Sequence, residues 1–195
     1  MKKIIQILVI IVTAIGLASC IKNDPVIINN SVAEFDATAV NSNAAGLTYP
    51  IIGRIPGYGR ATNTLDSTLR RYQQTVSIRV NLVGPQSGTA QTVGYEVFSS
   101  PVTTFTMPAT ITGQTPSAAA ASLTVTDAVA GTHFTALSGM LTIPANSSFG
   151  FLDLTILNPG ATAGSGRFIG LRLNNNGTIK ASFNYRDLGL VIDQR

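Results

Sequence analysis

Several short segments of this chain alternate apolar with polar or small residues, and this period of two constrains the fold more than any other feature. Because successive side chains of a β-strand point to opposite faces, each segment predicts a strand with one face on a core. Turn signals separate the segments, and no amphipathic helix of useful length follows Cys20. We therefore predict an all-β fold, an antiparallel immunoglobulin-like β-sandwich. The segments are 76–82, 93–97, 140–143, 152–156, 169–173 and 188–192.

The rest of the chain gives weaker structural signals. Val32–Asp36 predicts a first strand at a sheet edge, and residues 103–107 and 123–126 predict two further short strands. Residues 41–72 have little periodicity and contain Pro50, Pro56 and four glycines, so they predict a long loop. The four glycines are Gly46, Gly53, Gly57 and Gly59.

The N-terminus has the pattern of an export signal. Lys2 and Lys3 precede a largely apolar stretch from Ile4 to Leu17. This stretch is shorter than a membrane-spanning helix, and its flanking residues are typical of a signal peptide. The following Leu-Ala-Ser-Cys, ending at Cys20, resembles the lipobox of bacterial lipoproteins. This resemblance implies that residues 1–19 are removed and that Cys20 carries the lipid.

The resemblance also implies where the mature protein resides. Two or three acyl chains, palmitate among them, would make the anchor on Cys20 effectively permanent. Residue 21 is Ile rather than the Asp that retains some lipoproteins at the inner membrane. We therefore predict that the protein is anchored in the outer membrane, and the sequence does not indicate on which face of that membrane it lies. Residues 20–31 are predicted to be a tether and 32–195 a single sandwich domain. Cys20 is the only cysteine, so no disulfide forms within the chain.

The charge balance excludes one class of partner. The chain has 13 basic and 9 acidic residues, and removal of Lys2 and Lys3 leaves a nearly balanced protein. Charged residues make up 11% of the sequence, and Arg70-Arg71 is the only remaining basic pair. This pattern offers no electrostatic footprint for nucleic acid. The partners that we predict are the membrane, through Cys20, and a glycan or an envelope protein.

Residues 130–157 resemble the Calx-beta pattern. Ala-Gly-Thr-His-Phe at 130–134 precedes Gly-Met-Leu-Thr-Ile-Pro-Ala at 139–145 and a further alternating strand. The resemblance covers about residues 74–193 and implies an immunoglobulin-like sandwich, which binds calcium in some members. Here His133 replaces the family's acidic residue, and Asn158-Pro159 replaces an acidic pair. Because calcium requires six to eight oxygen ligands, we predict no metal site.

The closing segment carries a second resemblance. Residues 184–192, Asn-Tyr-Arg-Asp-Leu-Gly-Leu-Val-Ile, are similar to the end of small Bacteroidota outer-membrane lipoproteins. Those proteins belong to families of unknown function, often associated with glycan uptake. The resemblance implies a location in the cell envelope and indicates almost nothing about activity.

The sequence offers no catalytic constellation. His133 is the only histidine and has no Cys or second His as a metal-binding partner, so we assign it a structural role in a turn. The acidic residues are scattered, with no pair at a spacing typical of glycoside hydrolysis. We therefore predict a protein that is not an enzyme and that carries no cofactor.

Two stretches of the long loop are candidate surface sites. Tyr49, Arg54, Tyr58 and Arg60 lie among prolines and glycines, and aromatic faces with planar donors suit sugars or protein partners. The alternative, which we favour for this loop, is that it packs across one end of the sandwich. Residues 66–68, Asp-Ser-Thr, resemble the short O-glycosylation signal of Bacteroidota, which implies a glycan on Ser67 in an exposed loop.

Two functions remain open from the sequence. The first is a membrane-anchored, non-catalytic binding or accessory module that presents its loops to a glycan or a protein. The second is a structural envelope lipoprotein that assembles with a partner by strand addition. An exposed aromatic cluster near Tyr49 and Tyr58 would favour the first function, and an unpaired edge at Val32–Asp36 would favour the second.

Overall fold

A computed structural model describes residues 30–40, 43–59, 64–72, 74–115 and 117–195. The predicted signal peptide, Cys20 and Arg60 lie outside these residues, so their predictions are not tested by it. None of the helices in the described part is long and apolar enough to cross a membrane.

The described residues form strands and one helical turn. Asp36 caps that turn, because its Oδ1 accepts a hydrogen bond of 2.8 Å from the backbone N–H of Thr38. In chain order the elements are β1 Val32–Phe35, α1 Ala37–Val40, β2 Ile51–Ile52, β3 Gln74–Val83, β4 Gln91–Phe98, β5 Thr104–Met107, β6 Ala121–Asp127, β7 Met140–Ile143, β8 Phe149–Ile156, β9 Ser165–Asn174, β10 Lys180–Ala181 and β11 Asp187–Asp193.

The strands form two sheets, which confirms the predicted all-β sandwich. The first sheet has the order β10-β1-β3-β8, and the second has the order β2-β11-β9-β4-β7. A hairpin of β5 and β6 joins the second sheet where β6 pairs with β9. Most neighbours are antiparallel, but β1–β10, β2–β11 and β6–β9 are parallel pairs that the sequence did not predict.

The main core lies between the two sheets. Strands β3 and β8 bury alternate residues and expose those between, as their period of two predicts. The inward side chains of β4, β7, β9 and β11 complete this core. Val97 departs from the pattern: it was predicted to face the core but is 47% exposed, while Phe98 is partly buried on the outer face.

A second, smaller core covers the outer face of the second sheet. The β5–β6 hairpin places Met107, Leu123 and Val125 against Phe168 of β9 and Val191 of β11. As a result β9 and β11 are buried on both faces. This corrects the prediction that each of these strands has one exposed face.

Strand β1 is not an unpaired edge, which corrects the prediction for Val32–Asp36. It pairs along its length with β3, and Val32 and Ala33 also pair with β10. Just past the end of β1, Asp36 is buried and its carboxylate binds the guanidinium of Arg79. Strand β8 is the terminal strand on the other side of this sheet.

The described part of segment 41–72 is an integral part of the sandwich. Strand β2 pairs with β11, and Leu69 is fully buried in the main core. The backbone N–H of Leu69 donates to the carbonyl of Gly53 at 2.9 Å, so the two ends of this segment are tied together. This arrangement agrees with the interpretation of a packed loop.

Candidate functional site

A short crossover, residues 182–187, leads the chain from the first sheet to the second. The N–H of Ser182 donates to the carbonyl of Ala33 at 2.7 Å, and the N–H of Phe35 donates to the carbonyl of Tyr185 at 2.8 Å. The N–H of Leu173, on the second sheet, then donates to the carbonyl of Arg186 at 3.0 Å. The crossover is therefore fixed to both sheets while residues 183–186 remain exposed.

This crossover displays two aromatic rings to solvent. Phe183 is 95% exposed and Tyr185 is 43% exposed. Tyr185 also has a φ of 45°, in the left-handed region that a bulky side chain rarely adopts. Such a conformation costs about 1–3 kcal/mol and is kept where surrounding contacts require it, often at functional sites. The exposed rings and the strained backbone together make this crossover a candidate binding surface.

The crossover forms one wall of an open cavity of about 540 Å³. The segment that precedes β2, including Tyr49 and Pro50, also lines this cavity. Within the described residues, the side chains of Asn43, Thr48 and Asn184 hold no hydrogen-bond partner and are available to a ligand. The lining residues are Asn43, Thr48, Tyr49, Pro50, Phe183, Asn184, Tyr185, Arg186 and Asp187.

The charged groups of the cavity are unequally paired. Arg172 binds both carboxylate oxygens of Asp187, at 2.8 and 3.1 Å. The hydrogen bond to Asp187 is the main reason that the pKa of Arg172 is raised. The guanidinium of Arg186 approaches the same carboxylate only through Nε, at 3.7 Å, and its side chain is 44% exposed. Asp187 is therefore neutralised by Arg172, and Arg186 keeps most of its donors.

Aromatic contacts connect the cavity to the second core. The ring of Tyr49 meets Phe98 edge-on at 5.6 Å, and Phe98 meets Phe168 of the second core at 5.9 Å. Phe98 lies over Gly170, where a Cβ atom would come within 2.5 Å of its ring. Burial raises the pKa of Tyr49, and the charge of Asp187 adds to this effect, so its phenol stays protonated and can donate.

The structure brings only one of the predicted loop residues into this cavity. Tyr49 lines it, whereas Arg54 donates to the carbonyls of Asp66 and Ala109 at 2.6 and 2.9 Å. Tyr58 packs on the first sheet instead, beside Arg79 and Phe151. Arg60 lies outside the described residues. The predicted grouping of these four side chains is therefore wrong for the three that can be located.

Tyr58 has a structural role on the outer face of the first sheet. Its hydroxyl accepts a hydrogen bond of 2.6 Å from the backbone N–H of Arg79, whose guanidinium lies 4.6 Å from the ring centre. Burial raises the pKa of Tyr58 to about 12. Phe149 and Phe151 of β8 lie beside this pair and are partly exposed.

The Asp-Ser-Thr segment is less exposed than predicted. Asp66 and Thr68 are buried, and only Ser67 between them is partly accessible. The carboxylate of Asp66 accepts from the N–H of Gly57 at 3.0 Å, and the hydroxyl of Thr68 donates to Gln114 at 3.0 Å. The expectation of a freely exposed loop is wrong here, and glycosylation of Ser67 stays a prediction.

The sequence did not predict a site at the aromatic and charged residues 183–187. Their signal is an aromatic-polar-aromatic triplet, Phe183-Asn184-Tyr185, between two strands rather than within one. Its pairing with Tyr49 depends on the parallel contact of β2 with β11, which joins segments more than one hundred residues apart.

His133 lies in a turn, at the position where a structural role was predicted. Its side chain is buried, and its Nδ1 accepts a hydrogen bond of 2.9 Å from the N–H of Val129. Burial lowers the pKa of His133, and the positive charge of Arg167 lowers it further. A protonated Nδ1 could not accept the bond from Val129, so the folded protein holds this imidazole neutral. The described residues contain no group of three His, Cys, Asp or Glu side chains that could hold a metal ion.

The lowered pKa of His133 predicts a loss of stability on mild acidification. As the pH falls below the ordinary value of 6.5, the unfolded chain takes up this proton before the folded chain does. The contribution of His133 to the free energy of unfolding should therefore be full well above pH 6.5 and should decrease as the pH falls through that value. Urea denaturation of the wild type and of His133→Asn, which keeps an acceptor but cannot titrate, would measure the difference. Equal pH dependence in both proteins would contradict the assignment.

Comparison with family models finds no match, and comparison with curated proteins also finds none. Among solved structures, the apo form of the Calx CBD1 domain is similar, with 17% identity and a TM-score of 0.40 over 61% of this chain and 80% of that chain. CBD12 from CALX1.2 and the calcium binding domain CBD12 of CALX1.1 have the same identity and TM-score. Those matches cover 60% and 61% of this chain and 37% of each of the other chains. The assignment of the sandwich rests on the strand pairings described above.

Proposed function

We propose that this chain is a non-catalytic binding module of the cell envelope and that its cavity binds a carbohydrate. The observation that carries this proposal is the pair of exposed rings, Phe183 and Tyr185, beside the unpaired amides of Asn43 and Asn184. Exposed apolar groups that cluster and are rimmed by polar residues often mark a binding site.

The chemistry of the lining fits a sugar. A pyranose has an apolar C–H face, which packs on an aromatic ring, and hydroxyls around its rim, which need donors and acceptors. The cavity lining supplies three aromatic rings together with amide and hydroxyl groups. Its volume of about 540 Å³ lies within the range of about 300–1,000 Å³ that is typical of small-ligand sites.

The proposal is for binding rather than catalysis because of how the acidic group is held. Asp187 is the carboxylate that lines the cavity, and both its oxygens are bound to Arg172. A carboxylate held in this way is a poor general acid or base, because one guanidinium already engages both of its oxygens. It serves instead to fix the orientation of the arginine.

The cellular setting is part of the same proposal. The lipobox-like sequence supports lipidation of Cys20 and attachment to the outer membrane, with residues 20–31 as the tether. An anchored module of this kind would hold a glycan near the envelope. The alternative of strand addition has less support, because β1, the strand that was expected to offer a free edge, is paired on both sides.

Replacing Phe183 by serine should abolish most sugar binding without affecting the fold. The side chain is almost fully exposed, so its removal costs little stability, whereas aromatic anchors often contribute about 1.4 kcal/mol or more to binding, tenfold or more in affinity. The full chain in detergent would be screened on a glycan array, and its affinity for the best ligand would then be measured by calorimetry. Phe151→Ser removes a partly exposed ring from the other sheet and serves as the matched control. No glycan binding by the wild type, or equal losses in both variants, would refute the proposal.

A further inference from the structure

Two charged groups line the cavity, and they are paired unequally. The carboxylate of Asp187 is bound by Arg172, which lies on β9 outside the lining and is also paired across the strands with Glu96. The other charged group of the lining is Arg186, which approaches Asp187 only at 3.7 Å.

The free donors of these charged groups belong to Arg186. Both oxygens of Asp187 are engaged by Arg172, so the Nη1 and Nη2 donors of Arg186 make no hydrogen bond to the described residues. Its backbone is nevertheless fixed, because its carbonyl accepts from the N–H of Leu173. The backbone of Arg186 is thus fixed, while its planar guanidinium, next to the exposed rings in sequence, keeps free N–H donors.

From this arrangement we infer that the ligand is an acidic sugar, one that carries a carboxylate such as a uronic acid. This inference rests on the proposed function, and it names the class of carbohydrate. A guanidinium fork matches a carboxylate with two parallel hydrogen bonds, which are charge-assisted and therefore among the stronger ones. A single free guanidinium suits a singly charged carboxylate better than a doubly charged phosphate monoester.

The lining favours an acidic sugar over an acidic peptide. The rings of Tyr49, Phe183 and Tyr185 line the cavity together with Arg186 and the amides of Asn43 and Asn184. A uronate residue presents an apolar ring face, hydroxyls and one carboxylate within the width of a single ring. The cavity offers a matching group for each of these three features.

The test compares one sugar with and without its charge. The full chain in detergent would be titrated by calorimetry with tetragalacturonate and with its methyl ester, in which the carboxylates are neutral. The wild type should bind the acid form at least tenfold more tightly. Arg186→Gln should lose about tenfold or more for the acid form and less than twofold for the ester. Lys180→Gln removes the same charge from an exposed position outside this cavity and should change neither affinity.

The outcomes separate this inference from the proposed function. Equal affinity for the acid and the ester, or an Arg186→Gln variant that binds the acid as tightly as the wild type, overturns the acidic ligand but leaves sugar binding intact. Binding of neutral glycans but not of acidic ones on the array would likewise overturn the acidic ligand and leave sugar binding intact. No binding of any glycan overturns both. Because Arg186 is largely exposed, its substitution should leave the fold unchanged, which far-ultraviolet circular dichroism would verify.

Discussion

Replacing Asp193 by alanine is expected to lower the free energy of unfolding by about 3–5 kcal/mol. Asp193 is 1% exposed and lies 3.7 Å from the Nε atom of Arg70, which is equally buried. It also accepts hydrogen bonds of 2.8–3.1 Å from the guanidinium of Arg195. Removing the carboxylate leaves the buried charge of Arg70 without this counter-charge. Because the chain lacks tryptophan, urea denaturation followed by circular dichroism would measure the change.

A matched control is available on the outer face of the first sheet. Asp153 is exposed, and its carboxylate accepts one hydrogen bond of 2.6 Å from Ser77. Asp153→Ala should cost less than about 1 kcal/mol, as exposed polar contacts usually do. If the two substitutions cost the same, the buried cluster around Asp193 does not stabilise the fold in the way proposed.

The position of Asp193 explains why its effect should be large. Its backbone N–H donates to the carbonyl of Leu69 at 3.0 Å, and the N–H of Arg71 donates to its carbonyl at 3.0 Å. The end of β11 is thus joined to the segment that leads into β3. Loss of the buried ion pair would loosen a connection between the two sheets as well as leave a charge uncompensated.

The strands that could be predicted from the sequence are those that bury one face. In β3 and β8 the inward residues are branched or long apolar ones and the outward ones are mostly polar, so a period of two identifies both the strand and its face. The cluster around Asp193 could not be predicted in this way. Arg70 and Asp193 lie at opposite ends of the domain sequence, and only the fold brings them together.

Strands β9 and β11 show where the pattern misleads. Their outward positions include Gly170 and Gly189, which resemble the small residues of an exposed face. In the structure these glycines make room for the rings of Phe98 and Phe168, because a Cβ atom at either position would clash with a ring. Small residues can therefore mark close packing as well as exposure, and a single sequence does not distinguish the two.

The candidate site was predictable only in part for a related reason. Tyr49 stood out because it is an aromatic residue among loop formers, and it does line the cavity. Arg54 and Tyr58 look equally suited to binding, yet their polar atoms are used within the protein. Whether a polar side chain is free for a ligand depends on its tertiary partners, which local composition does not reveal.

The second core is expected to be as important to stability as the main one. Phe168 is 1% exposed and packs with Val191 of β11 and Leu123 of the β5–β6 hairpin. Its ring also contacts Phe98, which in turn contacts Tyr49 of the cavity. Phe168 therefore links the hairpin, the second sheet and the floor of the proposed binding site.

Phe168→Ala should lower the free energy of unfolding by about 3–5 kcal/mol, because it leaves a cavity where the hairpin meets the sheet. Urea denaturation would measure this loss against Phe151→Ala, which deletes the same ring from a position that is 44% exposed and should cost about 1 kcal/mol. Hydrogen exchange would locate the effect, since amides of β5 and β6 should lose protection before those of β3 and β8. A small loss, with the hairpin amides as well protected as in the wild type, would mean that the hairpin is held by its pairing with β9 rather than by the second core.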